Sequence, residues 1–122
     1  MKIAKAETIL ISIPFESGGL PPWGWGGAPA STFDVLLARL ETEDGLVGWG
    51  EAFAQGLEPP EIAAAAIEHA LKPLVLGENP LDTEVLWHRM YHRTRDYGRK
   101  GSVLPAISAV DSTFERAAYD QP

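Results

Sequence analysis

The sequence predicts an α+β domain: a three-stranded antiparallel meander followed by a bundle of three helices. Apolar residues alternate with period two in three runs between residues 3 and 52, then recur at helical spacing from residue 62 onward. An Asp44-Gly45 pair separates two of the strand-like runs, a hairpin signal. Strands first and helices after is the α+β order.

The first strand spans Ile3 to Ile13. Ile3, Lys5, Glu7, Ile9, Ile11 and Ile13 fall on one side, and Ala4, Ala6, Thr8, Leu10 and Ser12 on the other. The pattern reads as polar early and buried late, and Pro14, with no N–H for the ladder, stops it. The second strand runs Thr32 to Thr42, with Phe33, Val35 and Leu37 alternating against Leu36, Ala38 and Leu40. Glu43-Asp44-Gly45-Leu46 is expected to form a type I′ turn, with positive φ at Asp44 and Gly45. Leu46 to Ala52 is the third strand, where glycines on both sides of Trp49 suggest a bulge or a close backbone approach.

Glu58-Pro59-Pro60-Glu61 puts proline and acid at a helix start, as the missing N–H and the macrodipole favour. Ile62, Ala63, Ala66, Ile67, Ala70 and Leu71 then give one face, closed by Pro73 and Gly77. Asp82 is placed to cap a second helix with Val85, Leu86, Trp87, Met90 and Tyr91 on a broad apolar face up to about Tyr97. Gly98-Arg99-Lys100-Gly101 is a turn. Ser102 caps a third helix, in which Val103, Ile107 and Val110 share a face and which continues to near Tyr119.

Between the first two strands lies a breaker-rich segment, Phe15 to Ala30. It holds much of the chain's 12 glycines and 10 prolines, above the roughly 12% that these two types usually contribute. Loops of this length are commonly lids or binding loops. Its two tryptophans, Trp23 and Trp25, admit two readings: a plug on the domain's own core, or a lid facing a ligand.

Composition narrows function mostly by exclusion. At 122 residues the chain fits one domain and is too short for a (β/α)₈ barrel, which needs about 250 residues. Ten basic against seventeen acidic residues give a net charge of −7, and no basic run is read as offsetting it, so no nucleic-acid partner is expected. The absence of cysteine removes disulfides, thiolate metal sites and cysteine nucleophiles. No window suits a signal peptide or a membrane span, so the expected location is cytoplasmic with no membrane partner.

The polar motifs are weak. His88 and His92 stand at i, i+4, but Arg89 occupies the place where a zincin carries Glu, and no third ligand is near. His69 is isolated on an alanine-rich helix and reads as a surface residue. Trp23-Gly24-Trp25-Gly26-Gly27 resembles a phosphate loop only in composition, with no Gly-Lys-Ser/Thr after it. Asp34, Glu41 and Glu51 lack a base–nucleophile set and read as solvated strand faces. No catalytic residue, metal ligand or cofactor site is expected in this chain.

The order of residues is more telling. Leu36-Leu37-Ala38-Arg39-Leu40-Glu41-Thr42-Glu43-Asp44-Gly45-Leu46-Val47-Gly48-Trp49-Gly50-Glu51-Ala52 resembles the N-terminal domain of the enolase superfamily, mandelate racemase/muconate lactonizing enzyme branch. Three later pieces agree: Leu71-Lys72-Pro73-Leu74-Val75-Leu76-Gly77-Glu78-Asn79-Pro80, Leu86-Trp87-His88-Arg89-Met90, and Gly101 followed by Ala106-Ile107-Ser108-Ala109-Val110-Asp111. The resemblance divides the chain into a capping domain over residues 1–111 and a divergent end of the last helix over 112–122. It implies a lid over the mouth of a barrel that carries the Mg²⁺ ligands and the acid/base residues. In such full-length relatives, racemases, cycloisomerases or dehydratases, the reaction removes a proton α to a substrate carboxylate. It further implies that Trp23 and Trp25 in one loop, and Phe53, Ala54 and Gln55 in another, face substrate. The expected partners are a barrel domain or further copies of the chain. The alternative is a stand-alone binding or self-assembling scaffold module that has lost the barrel.

Overall fold

In the computed structural model, the described residues are 1–14, 32–52 and 58–119. Three strands, β1 (Ile3–Pro14), β2 (Thr32–Thr42) and β3 (Val47–Ala52), form one antiparallel sheet in the order β1-β2-β3. Helical chain follows: α1 (Pro60–Ala65), a π-helical turn (Ala66–Leu71), α2 (Lys72–Val75), α3 (Thr83–Gly98) and α4 (Val103–Tyr119). The first three pieces are continuous, so three helical rods pack on one face of the meander, the predicted α+β architecture. No helix among the described residues is long and apolar enough to cross a membrane.

The register sorts the sheet into two faces. Ala6↔Leu40↔Gly48, Thr8↔Ala38↔Gly50 and Leu10↔Leu36↔Ala52 form rows facing the helices, and the odd-numbered rows face away. Ile3 breaks parity because the ladder shifts between Ile3 and Lys5. That irregularity turns Ile3 onto the helix side, where it is 2% exposed. The expectation of a strand polar early and buried late is therefore reversed. Ile3 and Ala6 are buried, whereas Leu10, Ile11 and Ile13 are exposed, the last two where the β1–β2 ladder extends beyond the last residue of β3.

The β2–β3 hairpin also differs from expectation. No described residue other than glycine has positive φ, so Asp44 is not left-handed, and Gly45 alone reaches +87°. The Gly45 N–H donates to the Thr42 carbonyl (3.0 Å) and the Thr42 N–H to the Leu46 carbonyl (2.9 Å). This is a β-turn followed by one left-handed glycine, the longer hairpin solution, in place of a type I′ turn.

Pro73 does not end the first rod. Proline lacks an N–H, and in a regular α-helix its ring meets the carbonyl four residues back. The preceding turn widens instead: the Lys72 N–H donates to the Ile67 carbonyl, five residues back, and helix continues to Val75. Two expected caps use other groups. Asp82 is the N-cap residue of α3 without a side-chain cap hydrogen bond, and Asn79 Oδ1 accepts from the Leu81 N–H instead (3.0 Å). The Ser102 hydroxyl is spent on Glu58, across the domain, rather than on α4.

The core lies between the sheet and the rods: Leu36, Ala38 and Leu40 from β2, Ile67, Leu71 and Val75 from the first rod, Leu86 and Met90 from α3, and Ile107, Val110 and Phe114 from α4. β3 meets α4 at near backbone contact. A Cβ on Gly48 would collide with the Thr113 carbonyl, and one on Gly50 with the Ala109 carbonyl. The close approach read from the glycines around Trp49 is the bond between these two elements.

Candidate functional site

Antiparallel order brings three chain ends to one end of the sheet. β1 finishes there at Pro14, β2 starts there at Thr32, and β3 finishes there at Ala52. Both segments that the sequence nominates, residues 15–31 and 53–57, therefore spring from this loop end. Trp23, Trp25, Phe53 and Gln55 themselves lie outside the described residues.

Two helix ends share this location. α4 lies antiparallel to β3, Ala109 against Gly50 and Thr113 against Gly48, so its first residues project toward the loop end. The Ser102–Glu58 hydrogen bond ties the start of α4 to the residue that follows the second segment. α3 is held at its other end, where Arg89 Nη1 donates to the Leu74 carbonyl (3.1 Å) and to Glu78 Oε1 (2.7 Å). α3 thus runs toward the loop end, and its last turn stands beside the start of α4.

The rim of the loop end is apolar. Ile11, Ile13 and Phe33 are exposed on the projecting part of the β1–β2 ladder, Ile13 and Phe33 by about half (49% and 52%), and Leu10 is exposed at its base, in the row of Leu36 and Ala52. Each such side chain left in water forgoes up to about 1.5–3 kcal/mol of burial. At this rim the Ser12 hydroxyl donates to Asp34 Oδ1 (2.6 Å).

Elsewhere, several ionisable groups are tied to structure. On the outer face Glu7, Arg39 and Trp49 form one row across the sheet. Arg39 reaches Glu7 (2.9 Å) and Glu41 (3.0 Å) and lies 5.7 Å from the Trp49 ring centroid. The hydrogen bond to Glu41, against a desolvation cost and aided by Glu7, holds the guanidinium above its ordinary pKa. At the free edge of β1, Glu68 accepts from both the Thr8 N–H (3.2 Å) and the Thr8 hydroxyl (2.9 Å). Burial pulls this carboxyl upward, but the Thr8 bonds and the charge of Lys72 outweigh it, and the net is below the ordinary carboxylate range. Asp111 on α4 is raised, by burial first and by Glu115 second.

His88 and His92 are exposed and stack on each other, ring centroids 6.0 Å apart, and His69 is exposed, as read from sequence. Among the described residues no three His, Asp or Glu side chains converge to hold a metal ion. The feature that the charge reading passed over is on α3. Residues 89–100 contain five of the ten basic side chains and one acid, a local surplus visible in the sequence once charge is counted by window rather than over the whole chain.

A family model described as mandelate racemase/muconate lactonizing enzyme, N-terminal domain, matches residues 23–120. The chain is 37% identical over 88 residues to an arabinonate dehydratase of Saccharolobus solfataricus, covering 72% of this chain and 23% of that protein. It is 32% identical over 118 residues to a D-galactarolactone cycloisomerase of Agrobacterium fabrum, covering 91% of this chain and 27% of the relative. Among solved structures, a racemase from Streptomyces coelicolor A3(2) with bound magnesium superposes with a TM-score of 0.80 at 26% identity, covering 92% of this chain and 30% of that one. The chain thus spans about a quarter of the length of the curated relatives it matches.

Proposed function

Because the chain belongs to the mandelate racemase/muconate lactonizing enzyme N-terminal domain family of the enolase superfamily, we propose that it is a capping lid that selects substrate and does no chemistry by itself. In this reading it covers the mouth of a barrel domain that acts on a carboxylate substrate, in a racemase, cycloisomerase or dehydratase. The observation that carries the reading is the gathering of both nominated segments at one end of the sheet, rimmed by exposed Leu10, Ile11, Ile13 and Phe33. An apolar rim where both segments join the sheet suits closure over a bound molecule, and closure excludes water from the reacting centre.

Mg²⁺ belongs to the barrel in this reading, because the described residues of this chain offer no converging set of oxygen ligands. The chain's own contribution is contact and exclusion. Trp23 and Trp25 would close over the substrate from one segment, and Phe53 and Gln55 from the other, with the amide of Gln55 able to hydrogen-bond a hydroxyl or carboxylate.

A chimera tests this. Residues 1–120 replace the equivalent domain of the arabinonate dehydratase relative, and Mg²⁺-dependent turnover of aldonates is followed. The expected result is turnover, with Trp23→Ala and Trp25→Ala each raising KM about tenfold, the discrimination expected from one lost apolar contact. A chimera whose kinetics ignore all four substitutions, at Trp23, Trp25, Phe53 and Gln55, would contradict the lid. A chain that instead forms stable large assemblies with no affinity for any barrel would favour the scaffold alternative.

A further inference from the structure

The last turn of α3 carries a concentration of positive charge that the fold itself does not use. Arg95, Arg99 and Lys100 form no ion pair and no side-chain hydrogen bond among the described residues, although Arg39, Lys72 and Arg89 each have a carboxylate partner. His92, Arg95 and Arg99 recur at i, i+3 and i+7, which aligns them along one side of the helix. With Tyr91 and Asp96 they line a shallow hollow of about 440 Å³ that an adjoining hollow extends to Tyr97 and Lys100. Upstream, Trp87 and Tyr91 stack almost parallel, ring centroids 5.2 Å apart, which fixes the Tyr91 ring as a wall of the hollow.

Complementing the helix macrodipole accounts for Arg95 in the last turn. It accounts for Arg99 too, the C-cap residue of α3, but not for Lys100, which lies past the cap. Nor does solubility require them, since the chain is net −7 and residues 89–100, with five basic side chains against one acid, run against that sign. Two guanidinium forks and an ammonium, opposed within the hollow by Asp96 alone, match a doubly charged oxyanion. Guanidinium binds carboxylate or phosphate oxygens in pairs, and the ammonium adds a point charge.

We infer that the hollow bounded by Tyr91, His92, Arg95, Arg99 and Lys100 is a binding site for a doubly charged oxyanion, a dicarboxylate or a phosphate. The site stands at the loop end of the sheet, beside the start of α4. The inference does not depend on the capping reading, and its failure leaves that reading untouched.

The experiment is amide and histidine-ring NMR of the whole chain titrated with sodium phosphate, sodium succinate or sodium chloride at matched ionic strength. Saturable shifts confined to residues 91–101 are expected with phosphate, succinate or both, and none with chloride; which of the two saturates identifies the source of the oxyanion. The Arg95→Gln/Arg99→Gln double variant, whose replaced side chains are exposed and leave the core intact, should lose saturation altogether. Arg95→Lys should retain it about fivefold weaker, because charge stays and the fork is lost. Shifts that follow ionic strength without saturating, or that persist unchanged in the folded double variant, would overturn the site.

Discussion

Asp111 and Glu68 make opposite contributions to pH dependence. The half-buried Asp111 carboxyl is raised above its ordinary 3.8 by burial and then by Glu115. A raised acid gives stability below the unfolded value and loses it as pH rises through the folded value. Asp111→Asn is therefore expected to raise the melting temperature at neutral pH, with the gain vanishing below about pH 3.8. Glu68, held down by Thr8 and Lys72, contributes above its ordinary 4.5 and loses that contribution as pH falls through the folded value. Glu68→Gln should lower the melting temperature at neutral pH and match the parent chain in acid. Melting curves against pH check both signs. Gly50 answers to sterics instead: Gly50→Ala drives a methyl into the Ala109 carbonyl and should cost about 3 kcal/mol in urea unfolding. Gly45→Ala, strained only by its positive φ, should cost about 1–2 kcal/mol.

Among the elements, α4 ties the domain together. It packs on β3 through the bare backbone of Gly48 and Gly50, and it buries Ile107, Phe114 and Ala117. The helix runs unbroken from Val103 through Tyr119, and the family match reaches residue 120. Phe114→Ala is expected to cost about 3–5 kcal/mol, a large share of the roughly 5–15 kcal/mol that holds a domain folded. Calorimetry should show either a sharp fall in melting temperature or no transition. Much of this scale was legible in the sequence. Period two against period 3.6 separated sheet from helices, and the glycines around Trp49 pointed to a close backbone approach or a bulge, of which the approach, to α4, is what forms. What escaped was what periodicity averages away. A single ladder irregularity moved Ile3 to the core side, and a π-turn let the first rod absorb Pro73. Asp44 and Ser102 were misread because a turn and a cap are chosen by distant partners as much as by local preference; Ser102 answers to Glu58, 44 residues away.

For the whole molecule, the asymmetry is one end against the other. Far from the loops, the Ile3 N–H donates to the Glu78 carbonyl and the Gly77 N–H to the Ile3 carbonyl (both 2.8 Å), which closes that part of the edge of β1. At the loop end, Leu10, Ile11, Ile13 and Phe33 remain in water. Apolar side chains exposed at one end invite association, so the chain by itself is expected to self-associate at tens of micromolar, and Phe33→Lys with Ile13→Lys should return it to monomer in light scattering. The site itself was only half legible. Strand order locates the loop end, but the α3 charge cluster vanished into a net acidic total. Proton exchange tests the central claim most directly. The chain, with Mg²⁺ and a panel of acid sugars in D₂O, is followed by NMR for loss of the proton α to the carboxylate, beside its chimera with a relative's barrel. Exchange by the chimera and none by the chain is the expected result; exchange by the chain alone would contradict a lid that does no chemistry by itself.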